Sequence, residues 1–254
     1  MRRSTRKTGS KDSSASANST PADLFRSASS KAISKELERI DHLFNSYADK
    51  SSGMIDPEGI EALCSDVEVD HTDIRILMLA WKMKAEQQGY FTLEEWRRGL
   101  KSLKVDTISK LKKALPELEK EVVDSYSLTY GTPAIEKRKN SSLCVRRPQT
   151  YEDFYSYAFR YCLTEEKQKS IDIESICELL DLVLGSQFRS LIDSLIEYLK
   201  IQSDYKVINM DQWTGFLRFC NENAEKLDNL FFYSELMPQT SVQVTLSSSG
   251  AADN

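Results

Sequence analysis

The side chains that most often carry catalysis or bind metals are sparse in this chain of 254 residues. It contains two histidines, His42 and His71, and neither lies at helical spacing from a cysteine or a carboxylate pair, as a zinc or hydrolytic site would require. The five cysteines form no C-x-x-C pair, which favours reduced thiols in an intracellular protein. A phosphate-cradling glycine loop and a nucleophile elbow are also missing. We therefore expect a protein that is not an enzyme and uses no metal or cofactor.

Two glycine turns have the spacing of a paired calcium-binding hairpin. Gly53 and Gly89 are 36 residues apart, and an apolar residue (Ile55 or Phe91) follows each by two positions. An EF-hand has glycine at loop position six and a β-bridge residue at position eight, between two helices. The loop positions that should supply oxygen ligands hold unsuitable residues in several cases: Ala48, Lys50, Ser52, Lys84, Glu86 and Gln88. The pattern predicts EF-hand-like helix pairs without calcium ligands, and leaves a calcium sensor as a minor alternative.

The helix predicted before the second turn has two apolar stripes. One consists of Ile76, Leu79, Ala80 and Met83, and Leu77, Trp81 and Ala85 form the other. Such a helix lies at the centre of a core, or belongs to the core and also lines a pocket. The next helix is predicted to begin at Thr92, because Glu95 completes the spacing of a capping box.

Composition divides the chain into one folded domain and two tails. The Ser- and Lys/Arg-rich residues 1–30 and the polar residues 239–254 are expected to be disordered. The domain is expected to span 31–238, with its first helix capped at Ser30 or Ser34 and a basic loop insertion at 124–150.

Helical patterns resume at Tyr151, so that the second part of the chain repeats the organisation of the first. Two short extended pieces, centred on Ile171 and Ile208, each precede a helix, and these two residues are 37 positions apart. We expect an all-α fold of two helical lobes built from EF-hand-like pairs.

Charge and hydropathy limit the partners. The net charge of −5 argues against a general nucleic-acid binder, although the basic tail and loop leave local contacts with nucleic acid as an alternative. No apolar run approaches the roughly 20 residues of a membrane span, so we expect no membrane association. The basic start of the chain favours the nucleus, with the cytoplasm as the alternative.

Ordered motifs from about residue 37 to residue 230 resemble a known family. They are Leu43-Phe44-x-x-Tyr47, Gly59-Ile60-x-x-Leu63-Cys64-x-Asp66, Leu79-Ala80-Trp81-Lys82-x-x-Ala85, Gly89-Tyr90-Phe91, Gly99-Leu100-x-x-Leu103, Asp106-x-x-x-Lys110-Leu111, Phe154-Tyr155-x-Tyr157-x-Phe159, Gln168-Lys169-Ser170-x-Asp172 and Ile208-x-x-Asp211-x-Trp213-x-x-x-Leu217-x-Phe219. In this order they resemble the potentiating-neddylation domain of the DCN-like (defective in cullin neddylation) proteins.

The resemblance implies a scaffold-type co-ligase without covalent chemistry of its own. It implies two partners, a cullin C-terminal winged-helix domain and the acetylated N-terminus of the neddylation conjugating enzyme, and a cullin-associated RING protein as a third. The residues that match the family's acetyl-methionine pocket are Ile60, Cys64, Ile76, Leu79, Ala80, Met83 and Phe91. The cullin-binding acids are matched by Asp211, with Asp228 and Glu235 as replacements for the terminal acids. Asp211 also suits a helix N-cap.

The C-terminal stretch departs from the family pattern. The Ala-Trp-Pro and the acidic run that end the family domain have no recognisable counterpart in residues 227–238, and Leu195 stands where the family has tryptophan. The alternative function is therefore a divergent adaptor that binds the conjugating enzyme but not cullins, and acts as a regulator.

Overall fold

The computed structural model describes residues 21–130 and 149–236, including the side chains of residues 32–126 and 150–223. Over these ranges the chain is predominantly helical, which confirms the predicted all-α class. The elements are α1 (Pro21–Tyr47), α2 (Pro57–Val67), α3 (Ile74–Met83), α4 (Leu93–Leu103), α5 (Ile108–Tyr130), α6 (Gln149–Tyr161), β1 (Ser170–Asp172), α7 (Ile173–Leu184), α8 (Arg189–Ile201), β2 (Val207–Asn209) and α9 (Met210–Leu236). No helix in the described ranges is both long and apolar enough to cross a membrane.

Side-chain caps fix where the helices of the first half begin. Asp56 accepts a hydrogen bond from the Gly59 N–H at the start of α2, at 2.9 Å. At the start of α4, Thr92 accepts from the Glu95 N–H at 3.3 Å, and the Glu95 carboxylate accepts from the Thr92 N–H at 2.7 Å. The predicted capping box is therefore confirmed, and it satisfies two N–H groups that a helix start otherwise leaves unpaired.

The two glycine turns bring their apolar residues together as the repeat predicts. Gly53 and Gly89 have φ angles of 68° and 80°, which glycine adopts without the steric cost that other residues meet. The Ile55 N–H donates to the Phe91 carbonyl at 3.0 Å, and the Phe91 N–H donates to the Ile55 carbonyl at 2.9 Å. In the second half, β1 and β2 pair antiparallel, with Ile171 opposite Ile208.

The first half (α1–α5) and the second half (α6–α9) share one continuous core. Trp81 of α3 packs edge-on against Phe154 of α6, with ring centroids 5.6 Å apart. Its indole N–H also donates to the Asp153 carboxylate at 2.9 Å. Beside it, the Tyr157 hydroxyl donates to the carbonyl of Ala85 at 2.9 Å. The second stripe of α3, which includes Trp81 and Ala85, therefore joins the two halves.

Two helices extend further than the sequence pattern predicts. Helix α1 begins at Pro21, ahead of the predicted start at residue 30 or 34. Pro21 suits this start, because proline is favoured in the first turn of a helix. Residues 1–20 and 239–254, also predicted to be disordered, lie outside the described residues.

The expected loop at 124–150 is also shorter than predicted. Helix α5 continues to Tyr130 and α6 begins at Gln149, and residues 131–148 lie outside the described part of the chain. The helix continues because Tyr126 is buried and packs against Tyr151 and Phe188, with ring centroids 4.9 and 5.6 Å away. Tertiary packing here outweighs the local composition.

Candidate functional site

A pocket of about 330 Å³ lies between the two halves. Its first-half walls come from α2, α3 and the turn before α4, and its second-half walls come from the end of α6 and from α7. The apolar and small residues that line it are Pro57, Ile60, Ile76, Leu77, Ala80, Gly89, Phe91, Cys162, Leu179 and Leu182. Tyr161 and a polar rim of Glu61, His71, Thr72, Asp73 and Gln88 complete the lining.

The pocket contains four of the seven residues that the resemblance implies for an acetyl-methionine site. These are Ile60, Ile76, Ala80 and Phe91. On α3, Ile76 and Ala80 are one helical turn apart and present adjacent side chains to the cavity.

The other three residues of that set, Cys64, Leu79 and Met83, are buried and do not line the pocket. Leu79 and Met83 are also one turn apart, but they face the core. Met83 packs directly on Gly99 of α4, where an added Cβ would overlap its side chain and lie 3.2 Å from its Cα. The stripe of α3 that the sequence predicts as one face thus divides into a pocket side and a core side.

The second-half wall is the part of the pocket that the sequence reasoning missed. Tyr161, Cys162, Leu179 and Leu182 line the cavity from α6 and α7. One signal for them is present in α7, where apolar residues occur on more positions than a single buried stripe needs. Leu182 is half-buried and lines the pocket, while Leu180 is buried in the core.

Tyr161 is held rigidly where the two halves meet. Its ring stacks on Tyr157, with centroids 5.3 Å apart and planes at 19°. Its hydroxyl oxygen accepts a hydrogen bond from the N–H of Gly89 at 3.3 Å. Burial raises the pKa of Tyr161 to about 12, so the hydroxyl keeps its proton at neutral pH.

The thiols at and beneath the pocket are poor nucleophiles. Burial raises the pKa of Cys162, in the pocket wall, to about 11. The pKa of Cys64, behind the wall, is also raised to about 11, mainly by burial and further by the nearby acids Asp70, Glu61 and Asp73. Since the thiolate is the reactive form of cysteine, these raised pKa values leave both thiols protonated at neutral pH.

Two acids, Asp73 and Glu61, lie at the mouth of the pocket. Asp73 caps α3 and binds the Arg75 guanidinium through both carboxylate oxygens, at 2.8 and 2.6 Å. This contact with Arg75 lowers the pKa of Asp73, so Asp73 stays ionised at neutral pH. Glu61 also lies on the rim and is exposed. The charge of Asp73 is therefore offset by Arg75, and an apolar floor of this kind suits an uncharged, apolar tip.

A second cavity of about 330 Å³ adjoins the first and shares Asp73 and Leu182 with it. Gln187 lies in its wall, and the side-chain carbonyl oxygen of this residue is buried without a hydrogen-bond partner among the described residues. Within the described residues, no group of three or more histidine, cysteine or acidic side chains is arranged to hold a metal ion.

The acids implied for cullin binding belong to α9, away from the pocket lining. Asp211 is exposed in the first turn of α9, and it does not cap the helix as expected. Asn209 does so, because its side chain accepts from the Gln212 N–H at 3.0 Å and the Gln212 side chain accepts from the Asn209 N–H at 3.0 Å. Asp211 is therefore left available on the surface.

The remaining two acids of that set, Asp228 and Glu235, belong to α9. The structure describes side chains of α9 only as far as residue 223. Near the start of α9 the surface has an apolar character: Tyr198, Ile201, Tyr205 and Val207 are 48–78% exposed.

Comparison with known proteins identifies the family. A family model described as "Cullin binding" matches residues 106–238. DCN1-like protein 4 of Homo sapiens is 35% identical over 176 residues, which cover 69% of this chain and 51% of that protein. DCN1-like protein 5 of Bos taurus is 32% identical over 176 residues, covering 69% and 64% respectively. DCN1-like protein 3 of Pongo abelii is 29% identical over 215 residues, covering 84% and 62%.

These alignments span between about half and two thirds of the relatives' own lengths. The family model covers more than half of this chain and takes in α5 to α9. The chain belongs to the cullin-binding family of DCN1-like proteins.

Proposed function

We propose that this protein is a non-catalytic co-ligase of cullin neddylation. It binds the acetylated N-terminus of the neddylation conjugating enzyme in the pocket between its halves, and a cullin winged-helix domain on the surface around Asp211. A cullin-associated RING protein completes the assembly. The observation that carries the proposal is an apolar pocket, closed by both halves, in a chain of the cullin-binding family.

The mechanism is positioning. Holding the loaded conjugating enzyme next to the cullin turns a collision between two molecules into a step within one complex, and this entropic gain accelerates transfer without a catalytic side chain. The protonated thiols in and behind the pocket wall are consistent with such a role.

The pocket chemistry supports an acetylated ligand. Ile76, Ala80 and Phe91 are apolar and at most 8% exposed, so they offer nothing to replace the water around a bare ammonium group. Burying such a charge costs several kcal/mol, and acetylation removes it. The exposed acid Glu61 on the rim then meets positive charge that follows the tip.

The test is a titration of the full chain with the acetylated N-terminal peptide of the conjugating enzyme, by calorimetry. Ala80→Arg places a long charged side chain in the pocket and abolishes binding. Ala62→Arg, at an exposed position of α2 outside the pocket lining, is the matched control and retains affinity. Unchanged affinity of Ala80→Arg would remove the pocket from the proposal.

The cullin side is tested separately with a winged-helix domain. Asp211→Ala weakens binding, and Asp124→Ala, an exposed acid on α5, does not. A reconstituted reaction then shows faster cullin modification with the unsubstituted chain than with either pocket or Asp211 variants.

The second candidate function is an adaptor that binds the conjugating enzyme but no cullin. The departure of residues 227–238 from the family pattern favours it. In that case the acetylated peptide binds while the winged-helix domain does not, and added protein slows cullin modification by sequestering the conjugating enzyme.

A further inference from the structure

Tyr161 brings a hydroxyl group to the second-half wall of the pocket, which is otherwise formed by Cys162, Leu179 and Leu182. The side chain is buried, with 8% exposure, and reaches the pocket from the second half of the molecule. Its oxygen lies 3.3 Å from the nitrogen of Gly89, which lines the pocket from the first half. The hydroxyl is therefore at the seam where both halves meet the cavity.

Within the described residues, the Tyr161 hydroxyl donates no hydrogen bond. A tyrosine hydroxyl both accepts and donates, and its accepting capacity is taken by the Gly89 N–H. Among the residues that the structure describes, no acceptor is within hydrogen-bonding distance of the proton. The Glu95 carboxylate, which raises the pKa of Tyr161 less strongly than burial does, is occupied by the N–H groups of Glu86 and Thr92, at 2.9 and 2.7 Å.

The group is also fixed in advance of binding. Stacking on Tyr157 sets the plane of the Tyr161 ring, and Tyr157 is itself anchored by its bond to the Ala85 carbonyl. The Gly89 N–H limits where the hydroxyl oxygen can lie. A donor that is already ordered loses little conformational freedom when a ligand accepts from it.

We propose that the Tyr161 hydroxyl donates a hydrogen bond to the carbonyl oxygen of the acyl group on the bound N-terminus. This role rests on the proposed function of the pocket and adds a polar element to its selectivity. An acyl group supplies an acceptor, whereas a free ammonium group has donors only and leaves the hydroxyl proton unpaired.

The experiment compares two ligands that differ in one atom. The acetylated N-terminal peptide of the conjugating enzyme and its thioacetylated counterpart have the same charge and nearly the same shape, but sulfur is a much weaker acceptor. Affinities are measured by calorimetry for the unsubstituted full chain, for Tyr161→Phe, and for Tyr90→Phe, a control in the same turn outside the pocket lining.

Tyr161→Phe lowers the affinity for the acetylated peptide about five- to tenfold, which corresponds to the loss of one neutral hydrogen bond. The thioacetylated peptide binds the unsubstituted chain more weakly and is nearly insensitive to Tyr161→Phe. Tyr90→Phe changes neither affinity. Equal losses for both peptides would show that Tyr161 only holds the turn at Gly89, and would overturn the donor role.

Unchanged affinity of Tyr161→Phe for the acetylated peptide would also overturn it, while leaving the pocket itself in place. Failure of the unsubstituted chain to bind any of the peptides would instead remove the proposed function, and the donor role with it.

Discussion

Tyr155 of α6 and Trp213 of α9 exchange two hydrogen bonds across stacked rings. The Tyr155 hydroxyl donates to the Trp213 carbonyl at 2.8 Å, and the Trp213 indole N–H donates to the Tyr155 carbonyl at 3.0 Å. Their ring centroids are 4.4 Å apart, with the planes at 8°. This pair fixes the first turns of α9, and therefore the position of Asp211, relative to the helix that ends at the pocket.

Removing one of these bonds should cost stability without changing the packing. Tyr155→Phe keeps the stacked ring and deletes the hydroxyl, so the free energy of unfolding should fall by about 1 kcal/mol. Urea unfolding followed by circular dichroism measures the change. Tyr205→Phe, where the ring is about half exposed, is the control and should leave stability unchanged. Equal values for the two variants would contradict the assigned bond.

The contact between α3 and α4 requires glycine at position 99. An added Cβ there would overlap Met83 and lie 3.2 Å from its Cα, which as backbone cannot move aside easily. Gly99→Ala should therefore destabilise the protein by about 1–3 kcal/mol.

The control for that substitution is Gly215→Ala in α9, where nothing lies within 4 Å of an added Cβ. It should stabilise the protein by roughly 0.5–1 kcal/mol, because alanine is the better helix former. Thermal melts of the two variants should move in opposite directions, and a rise for Gly99→Ala would contradict the close packing.

Asp106 should make stability depend on pH in the acid range. Its carboxylate is 7% exposed and binds both Lys110 and Arg39, each at 2.6 Å. These bonds lower the pKa of Asp106 in the folded protein, and the bond with Lys110 has the larger effect. The stabilisation is therefore complete above the unfolded value near 4, and is lost as pH falls through the lower folded pKa.

Asp106→Asn should lower the free energy of unfolding by about 1 kcal/mol at pH 7, since both cations are half exposed and partly screened. It should also reduce the loss of stability between pH 4 and pH 2, measured by urea titrations at each pH. Glu68→Gln, in the exposed pair with Lys112, should change stability by less than about 0.5 kcal/mol.

Gln187 offers a stabilising substitution. The buried side-chain oxygen of Gln187 lacks a partner, and such an oxygen loses its hydration without compensation. Gln187→Met keeps the length of the side chain and removes the amide, so the free energy of unfolding should rise by about 1 kcal/mol. A lower melting temperature for this variant would show that the amide oxygen has a partner in solution.

The sequence predicted the local parts of this structure well. The capping box of Thr92 and Glu95 and the pairing of Ile55 with Phe91 depend on spacings along a short stretch, and both are present. The sequence predicted the stripe of α3 as a single face and did not separate its pocket side from its core side, because periodicity shows which positions are apolar but not which neighbour each one meets. Close approach of Gly99 to Met83 decides that division.

The far wall of the pocket was missed for a related reason. Tyr161 meets Gly89 across 72 positions of the chain, and no pattern within a window of one or two helices reports such a contact. The extension of α5 depends likewise on Tyr126 packing against Tyr151 of α6 and Phe188, which directly precedes α8.

Residues of both halves form the walls of the pocket. Binding of a ligand there should therefore raise the free energy of unfolding of the whole protein. A molecule seated between Ala80 on α3 and Leu182 on α7 binds the folded arrangement and has no equivalent site in the unfolded chain. When the free ligand is at a concentration 100 times its dissociation constant, the free energy of unfolding rises by about 2.7 kcal/mol. The melting temperature of unlabelled protein therefore ranks ligands for this pocket, and does so in a cell extract as well as in purified solution.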